Sequence, residues 1–222
     1  MCGRFTLAIE QGDLESEFKG VDFPTQFAPR YNIAPSQPVL AILNDGKSRA
    51  DFLMWGLIPS WAKVPAIGNR LINARGETLA EKPAFRGPFK YTRCLILADG
   101  FYEWQSSPAA KTKVPHYIQM ADGRPFGFAG LWSEWRSADG SPVRSCTIVT
   151  TSPNSLLATI HNRMPVILQS EDRAAWLDPS PAPAEAMSRL IKPYPSDHMR
   201  AFPVSTLVND PKNDRPECIR PA

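Results

Sequence analysis

The chain lacks long apolar runs: none of its 222 residues fall in a stretch near the roughly 18 that a membrane-spanning helix needs. Its four cysteines, Cys2, Cys94, Cys146 and Cys218, form no CxxC or CxxH pair, so no metal-binding spacing is present, and nothing points to a nucleotide or flavin. Histidine is scarce, at three residues. No repeat, low-complexity tract or linker divides the chain. The first residues carry no basic leader followed by an apolar core, so a secretory route is not expected. A reduced, cytoplasmic setting is expected instead, nucleoid-associated whenever DNA is bound. A net charge of +3 permits a polyanionic partner without demanding one.

What is present is a soluble protein's composition, 43% hydrophobic and 21% charged, with arginine outnumbering lysine 16 to 9. That bias suits forked contacts to phosphate or carboxylate. Four Asp-Gly pairs (45–46, 99–100, 122–123 and 139–140) sit among apolar alternation, the strongest short-range hairpin signal. The stretches VLAILNDGKSRADFLMWGL, RCLILADGFYEW and HYIQMADGRPFGFAGLW read as hairpins, and SCTIVTT as a further strand. Helices are few and short: QGDLESEFKG closing on Gly20, SPNSLLATI with Ser152 as its cap, SEDRAAWLD and PAEAMSRLI. The expectation is a single α+β domain over 1–222, dominated by antiparallel β-sheet, with proline (23 residues) breaking it into short elements and ordered loops.

Four places could carry chemistry. Cys2, once the initiator methionine is cleaved, would expose a 1,2-aminothiol: an α-amine with a pKa of roughly 7.7–8.0 beside a thiol of about 8.5. Such a pair attacks an aldehyde with nitrogen to form an imine, then closes with sulfur into a thiazolidine, the second step being intramolecular. Arg4 nearby would make the thiol more reactive; alternatively, a cysteine at position 2 is incidental. Glu103, in ADGFYEWQ, shares a strand face with Phe101 and Gln105, opposite Tyr102 and Trp104. There it is either a solvent-facing carboxylate or a general acid raised by aromatic neighbours. His161, in TIHNRMPVIL, lies in a connection where catalytic residues are often held; His116 reads as a strand residue and His198 as a surface one. From Arg70 to Arg93 run six cations (Arg70, Arg75, Lys82, Arg86, Lys90, Arg93), with Asn73 able to hold a hydroxyl. Upstream, Trp55 reads as core and Trp61 as an exposed platform for bases.

In order along the chain, MCGRF, RYNIAPSQPV, WGLIPSWA, INARGET, EKPAFR, RCLILADGFYEW, TTSPNSLLATIHNRMPVIL and VSTLVNDPKND resemble the blocks of the SRAP family, from Cys2 to about Cys218. The resemblance implies a mostly β fold that binds single-stranded DNA, acts as a monomer without a cofactor, and crosslinks covalently to abasic sites. Cys2 would be the reacting residue. Glu103 would serve as acid and base, His161 would protonate a sugar oxygen, and Asn73 would position Cys2 and the sugar. Arg4 and Arg75 would grip flanking phosphates, extended by Arg163 and by Thr150 or Thr151. Trp61 would interrupt the base stack, and Arg86 is a further backbone contact. Gly76 stands where the family pattern leads one to expect alanine.

Three other activities compete. A glutamine amidotransferase also begins MCG, but its glutamine-binding and oxyanion motifs are not found. A peptidase would use Cys2 as nucleophile and His161 as base, with self-removal of Met1 as one such activity. A non-covalent module for single-stranded or modified DNA would leave Cys2 inert.

Overall fold

A computed structural model describes residues 2–25, 27–106 and 112–222. Among these the strands are β1 (Phe5–Leu7), β2 (Arg30–Ile33), β3 (Pro38–Leu43), β4 (Ala50–Trp55), β5 (Asn73–Arg75), β6 (Arg93–Ala98), β7 (Gly100–Gln105), β8 (Val114–Met120), β9 (Phe126–Arg136), β10 (Pro142–Thr151), β11 (Met164–Pro165) and β12 (Met199–Pro203). The helices are α1 (Gln11–Glu17), α2 (Arg86–Tyr91), α3 (Ser155–Ala158), α4 (Ser170–Trp176) and α5 (Ala184–Ser188). The fold is α+β, as expected. No described helix is long and apolar enough to cross a membrane.

Two sheets carry the architecture. One has the order β12-β8-β7-β1-β2. In the other, β9 pairs with both β6 and β10, so the pairings β10-β4-β3-β6-β9-β10 close into a ring. Closure joins β9 to β10 where an open sheet would end on a free β9 edge, with a short junction of two residue pairs between β10 and β4. Only the β10–β4 and β10–β5 pairings of this sheet are parallel. Aromatic side chains fill the space inside: Phe5 meets Trp55 at 5.1 Å and Phe128 at 5.7 Å, and Phe101 meets Phe128 at 5.9 Å, mostly edge to face.

Two of the hairpin expectations need correction. VLAILNDGKSRADFLMWGL does fold back on itself, β3 on β4. The Asp139-Gly140 turn also joins paired strands, β9 and β10. At Asp99-Gly100 and Asp122-Gly123, however, the chain leaves one sheet for the other: β6 and β9 belong to the closed sheet, β7 and β8 to the five-stranded one. The hairpin is β7–β8, with Glu103 opposite His116 and Gln105 opposite Val114. At the first of these crossovers the physical reason lies in the Asp99 side chain. It is buried and takes hydrogen bonds from Thr6 Oγ1 (2.5 Å) and the Ala8 N–H (3.0 Å), anchoring the crossover to β1 rather than forming an exposed turn.

Helices α1, α4 and α5 form where expected. The cap of α3 does not: Asn154, not Ser152, accepts the Leu157 N–H at 2.9 Å. Helix α2 was hidden in the basic segment, where Pro88 interrupts the helical pattern. Arg93, counted there among surface cations, is fully buried. Its guanidinium donates to the carbonyls of Trp176, Phe89, Lys90, Asp178 and Ser180, which close the ends of α2 and α4. The space an alanine Cβ would need at position 76 is taken by Ile191 Cγ2, 2.4 Å away, which accounts for glycine there.

Candidate active site

The N-terminal segment runs antiparallel to β7. Phe5 faces Phe101, and the track continues to the Tyr102 N–H, which donates to the Arg4 carbonyl at 3.0 Å. This carries Glu103 alongside residues 2–4. From the closed sheet, Asn73 on β5 donates its Nδ2 to the Cys2 carbonyl at 2.9 Å. Asn73 is held in turn by pairing with Ile148 of β10, while the preceding Ile72 carbonyl accepts the Trp55 indole N–H at 2.9 Å. Cys2 therefore sits on the seam between the two sheets, tied to both. Asn73 Oδ1 is buried, with no hydrogen-bond partner among the described residues.

Glu103 behaves as alternation requires. Tyr102 and Trp104 turn outward to a second cluster with Tyr117, Val204, Val208 and Cys218, whereas Phe101 joins the main core. Only 1% of Glu103 is exposed, and burial pushes its carboxyl up to about 7. Near neutral pH it can both give and take a proton. The Cys2 thiol is also raised, first by burial and then by the Glu103 charge. It donates weakly to the Arg4 carbonyl, at 3.7 Å.

The expected activation by Arg4 does not occur. The Arg4 guanidinium points the other way, donating to Asn32 Oδ1 and the Val208 carbonyl, each at 2.8 Å, and lying 5.9 Å from the Trp104 ring centre.

Gln105, on the same strand face as Glu103, donates Nε2 to the Thr159 carbonyl at 2.8 Å and so draws in the loop that carries His161. His161 Nδ1 lies 3.0 Å from the Arg163 N–H and 3.2 Å from the Arg163 carbonyl, so its own loop holds the neutral ring in either tautomer. Burial lowers the His161 pKa, favouring that neutral form. Cys2, Asn73, Glu103 and His161, read from four separate stretches, are thus brought to one seam.

The expected phosphate contacts divide. Arg75 is exposed. Thr150 and Thr151 are buried, and the Thr150 hydroxyl takes part in hydrogen bonds to the Ala74 carbonyl and Arg163, so Thr150 supports the site from within. Arg163 is clasped by Glu77. Trp61 is 59% exposed and Trp55 fully buried, as expected. Trp61 shares a cleft of about 240 Å³ with Arg86, Pro59 and Pro88, and forms one wall of another of about 480 Å³ beside Arg70. Neither cleft is lined by Cys2, Asn73, Glu103 or His161.

Sequence reasoning missed Lys113. It is exposed just before β8, and its charge lowers the pKa of both Glu103 and His161. The signal was the β7–β8 register, which brings residue 114 opposite Gln105. Among the described residues, no group of three or more His, Cys, Asp or Glu is placed to hold a metal ion.

A family model described as SOS response associated peptidase (SRAP) matches residues 1–211. The chain is 48% identical over 222 residues to the abasic site processing protein YoqW of Bacillus subtilis (strain 168), covering 99% of each. It is 33% identical over 229 residues to the abasic site processing protein HMCES of Gallus gallus, covering 88% of this chain and 67% of that one. Among solved structures, a protein from Bacteroides thetaiotaomicron superposes with a TM-score of 0.87 at 27% identity, over 100% of both chains.

Proposed function

The chain belongs to the SRAP family, the SOS response associated peptidases, and from that premise we propose that it processes abasic sites in single-stranded DNA by forming a covalent thiazolidine at Cys2. The observation that carries this reading is the pairing of Cys2 with a buried carboxyl whose pKa is about 7, on a seam where Asn73 grips the Cys2 carbonyl. Relatives named abasic site processing proteins support it.

The steps follow from the groups present. Removal of Met1 exposes the Cys2 α-amine. Protonated Glu103 donates to the ring oxygen of the closed abasic sugar as the C1–ring oxygen bond breaks, and the proton of the sugar's C1 hydroxyl passes through water back to the Glu103 carboxylate, giving the open aldehyde. The neutral amine adds to the carbonyl carbon, and loss of one water leaves an imine. The raised pKa keeps the thiol as S–H until it adds across the C=N bond, sulfur to carbon and proton to nitrogen, with Glu103 as the relay. The neutral His161 ring, in the tautomer that carries its proton on Nε2, is suited to donate to a sugar oxygen or a leaving group. The Asn73 Oδ1 is suited to accept from a sugar hydroxyl or the freed amine. Arg75 would hold a flanking phosphate, and the exposed Trp61 face would stack on a base.

The test is intact mass and denaturing gel analysis after incubation with a single-stranded oligonucleotide bearing one abasic site. Wild type is run beside Cys2→Ser and Cys2→Ala. A heat-stable adduct in wild type alone, at the summed mass less one water, is the expected result. DNA binding without any adduct, in protein shown to lack Met1, would leave a non-covalent binding module and end the crosslinking reading.

A further inference from the structure

Resting on that reaction, we infer that Lys113 is a DNA-binding residue: from the five-stranded sheet it grips the phosphate on one side of the lesion sugar, opposite Arg75 on the closed sheet. A sugar within a strand carries a phosphate on either side, so a lesion seated at Cys2 brings two anions to the mouth of the seam. Arg75 stands on one bank. It is exposed at the end of β5, two residues past Asn73, which holds the Cys2 carbonyl. On the other bank the β7–β8 register places Val114 opposite Gln105, and Lys113 is the next residue out. Gln105 shares a strand face with Glu103, and its Nε2 reaches the Thr159 carbonyl, two residues before His161. Lys113 thus stands beside both proton carriers of the site, on the sheet that Arg75 does not reach from.

The lysine is exposed, and among the described residues it forms no ion pair. Its charge nonetheless reaches the site, pulling down the pKa of Glu103 and of His161. Glu103 does not neutralise it in return: the carboxyl is buried and, with a pKa of about 7, is substantially protonated at neutral pH. A cation left open at the mouth of a buried site is a ready partner for an anion that arrives with the substrate. Lysine suits one phosphate, which needs a mobile point charge and not a fork. Each phosphate so neutralised on a single strand adds about 0.7 to the slope of log Kd against log salt, which makes the contact countable.

The probe is a single-stranded oligonucleotide with one tetrahydrofuran abasic analogue, which has no C1 hydroxyl and cannot open to an aldehyde. Binding is measured from about 50 to 200 mM salt for full-length wild type, Lys113→Gln and Lys113→Arg, each shown by thermal melting to be folded. Lys113→Gln is expected to lower the salt slope by about 0.7 and to weaken binding about threefold to tenfold; Lys113→Arg keeps the wild-type values. Location comes from replacing each flanking phosphate in turn by an uncharged methylphosphonate. At one flank the replacement weakens wild type and leaves Lys113→Gln unchanged; at the other it weakens both equally. Losses that add at both flanks overturn the inference, because the lysine then touches neither phosphate beside the lesion. An unchanged Kd and slope, with the pH midpoint of adduct formation moved upward, overturns it too: Lys113 would then act on Glu103 alone. If wild type forms no adduct with a true abasic site, the proposed reaction falls, while binding to the analogue still decides the role of Lys113.

Discussion

Glu103 shows how one side chain can link stability to chemistry. Unfolded, its carboxyl ionises near 4.5; folded, it holds the proton to about 7. Between those values the native chain binds a proton that the unfolded chain has lost, so stability falls as pH rises from about 4.5 to 7 and levels off above. At 1.36 kcal/mol per pH interval, that gap amounts to roughly 3 kcal/mol. Glu103→Gln removes the ionisation, so its stability relative to wild type should rise by roughly that amount between pH 4 and pH 8 in urea unfolding. Parallel pH curves for the two proteins would show that the carboxyl is not held protonated. The same substitution removes the proton relay and should slow adduct formation by about 10²-fold or more. A variant that gains stability while losing activity is the signature of a group kept under strain for its chemistry.

At the scale of the element, the crossover from β6 to β7 is the feature most exposed to a single change. An added Cβ at Gly100 would lie 2.1 Å from the Tyr117 hydroxyl. That ring cannot retreat: it is 2% exposed, hydrogen-bonded to Thr6 Oγ1 at 2.9 Å, and flanked by Tyr102 at 5.2 Å and Phe202 at 5.8 Å. Gly100→Ala should therefore destabilise by about 1–3 kcal/mol. Gly87→Ala, in α2 with open space around it, should be neutral or slightly stabilising. Equal thermal shifts for the two would contradict the overpacking argument. The same crossover marks where the sequence stopped being legible. Alternation placed the strands and the faces of Tyr102, Glu103 and Trp104 correctly. Pairing was another matter, because Asp-Gly states only that the chain bends. At Asp99 the change of sheet goes with a side chain whose donors are Thr6 and Ala8, more than ninety residues away. At Asp122 the side chain takes the local Arg124 N–H, as Asp139 takes that of Ser141, so the turn residues carry no sign of the crossover.

Across the whole molecule, the seam at Cys2 depends on a segment that no local pattern connects to it. Cys2, Asn73, Glu103 and His161 were each visible as residue types in suggestive settings, and the order of blocks grouped them. What holds Arg4, and with it the N-terminal strand, was not visible, because it comes from the far end of the chain. Asn32 is fully buried on β2. Its Oδ1 accepts from Arg4, while its Nδ2 reaches the carbonyls of Val208, Asp210 and Asn213 at 2.8–3.2 Å. Asp214 fastens the same region, accepting the N–H groups of Tyr31 and Asn32 and pairing with Arg30. One amide thus joins the start of the chain to its end, and Asn32→Ala takes a hydrogen bond from four groups: the half-buried Arg4 guanidinium and the carbonyls of Val208, Asp210 and Asn213. The expected cost is about 1–3 kcal/mol: Arg4 and the Val208 carbonyl still hold each other, while the partly buried carbonyls lose a donor. Limited proteolysis read by mass spectrometry should then show cleavage within residues 205–222 at conditions where wild type resists. Adduct formation should slow even at temperatures where Asn32→Ala remains folded, because Arg4, two residues from the reacting cysteine, has lost one of its anchors and keeps only the carbonyls of Val208 and Asn209. Cleavage in that segment at the wild-type rate would mean that the Val204–Val208–Cys218 cluster alone holds the C-terminus down, and that Asn32 organises only its own strand.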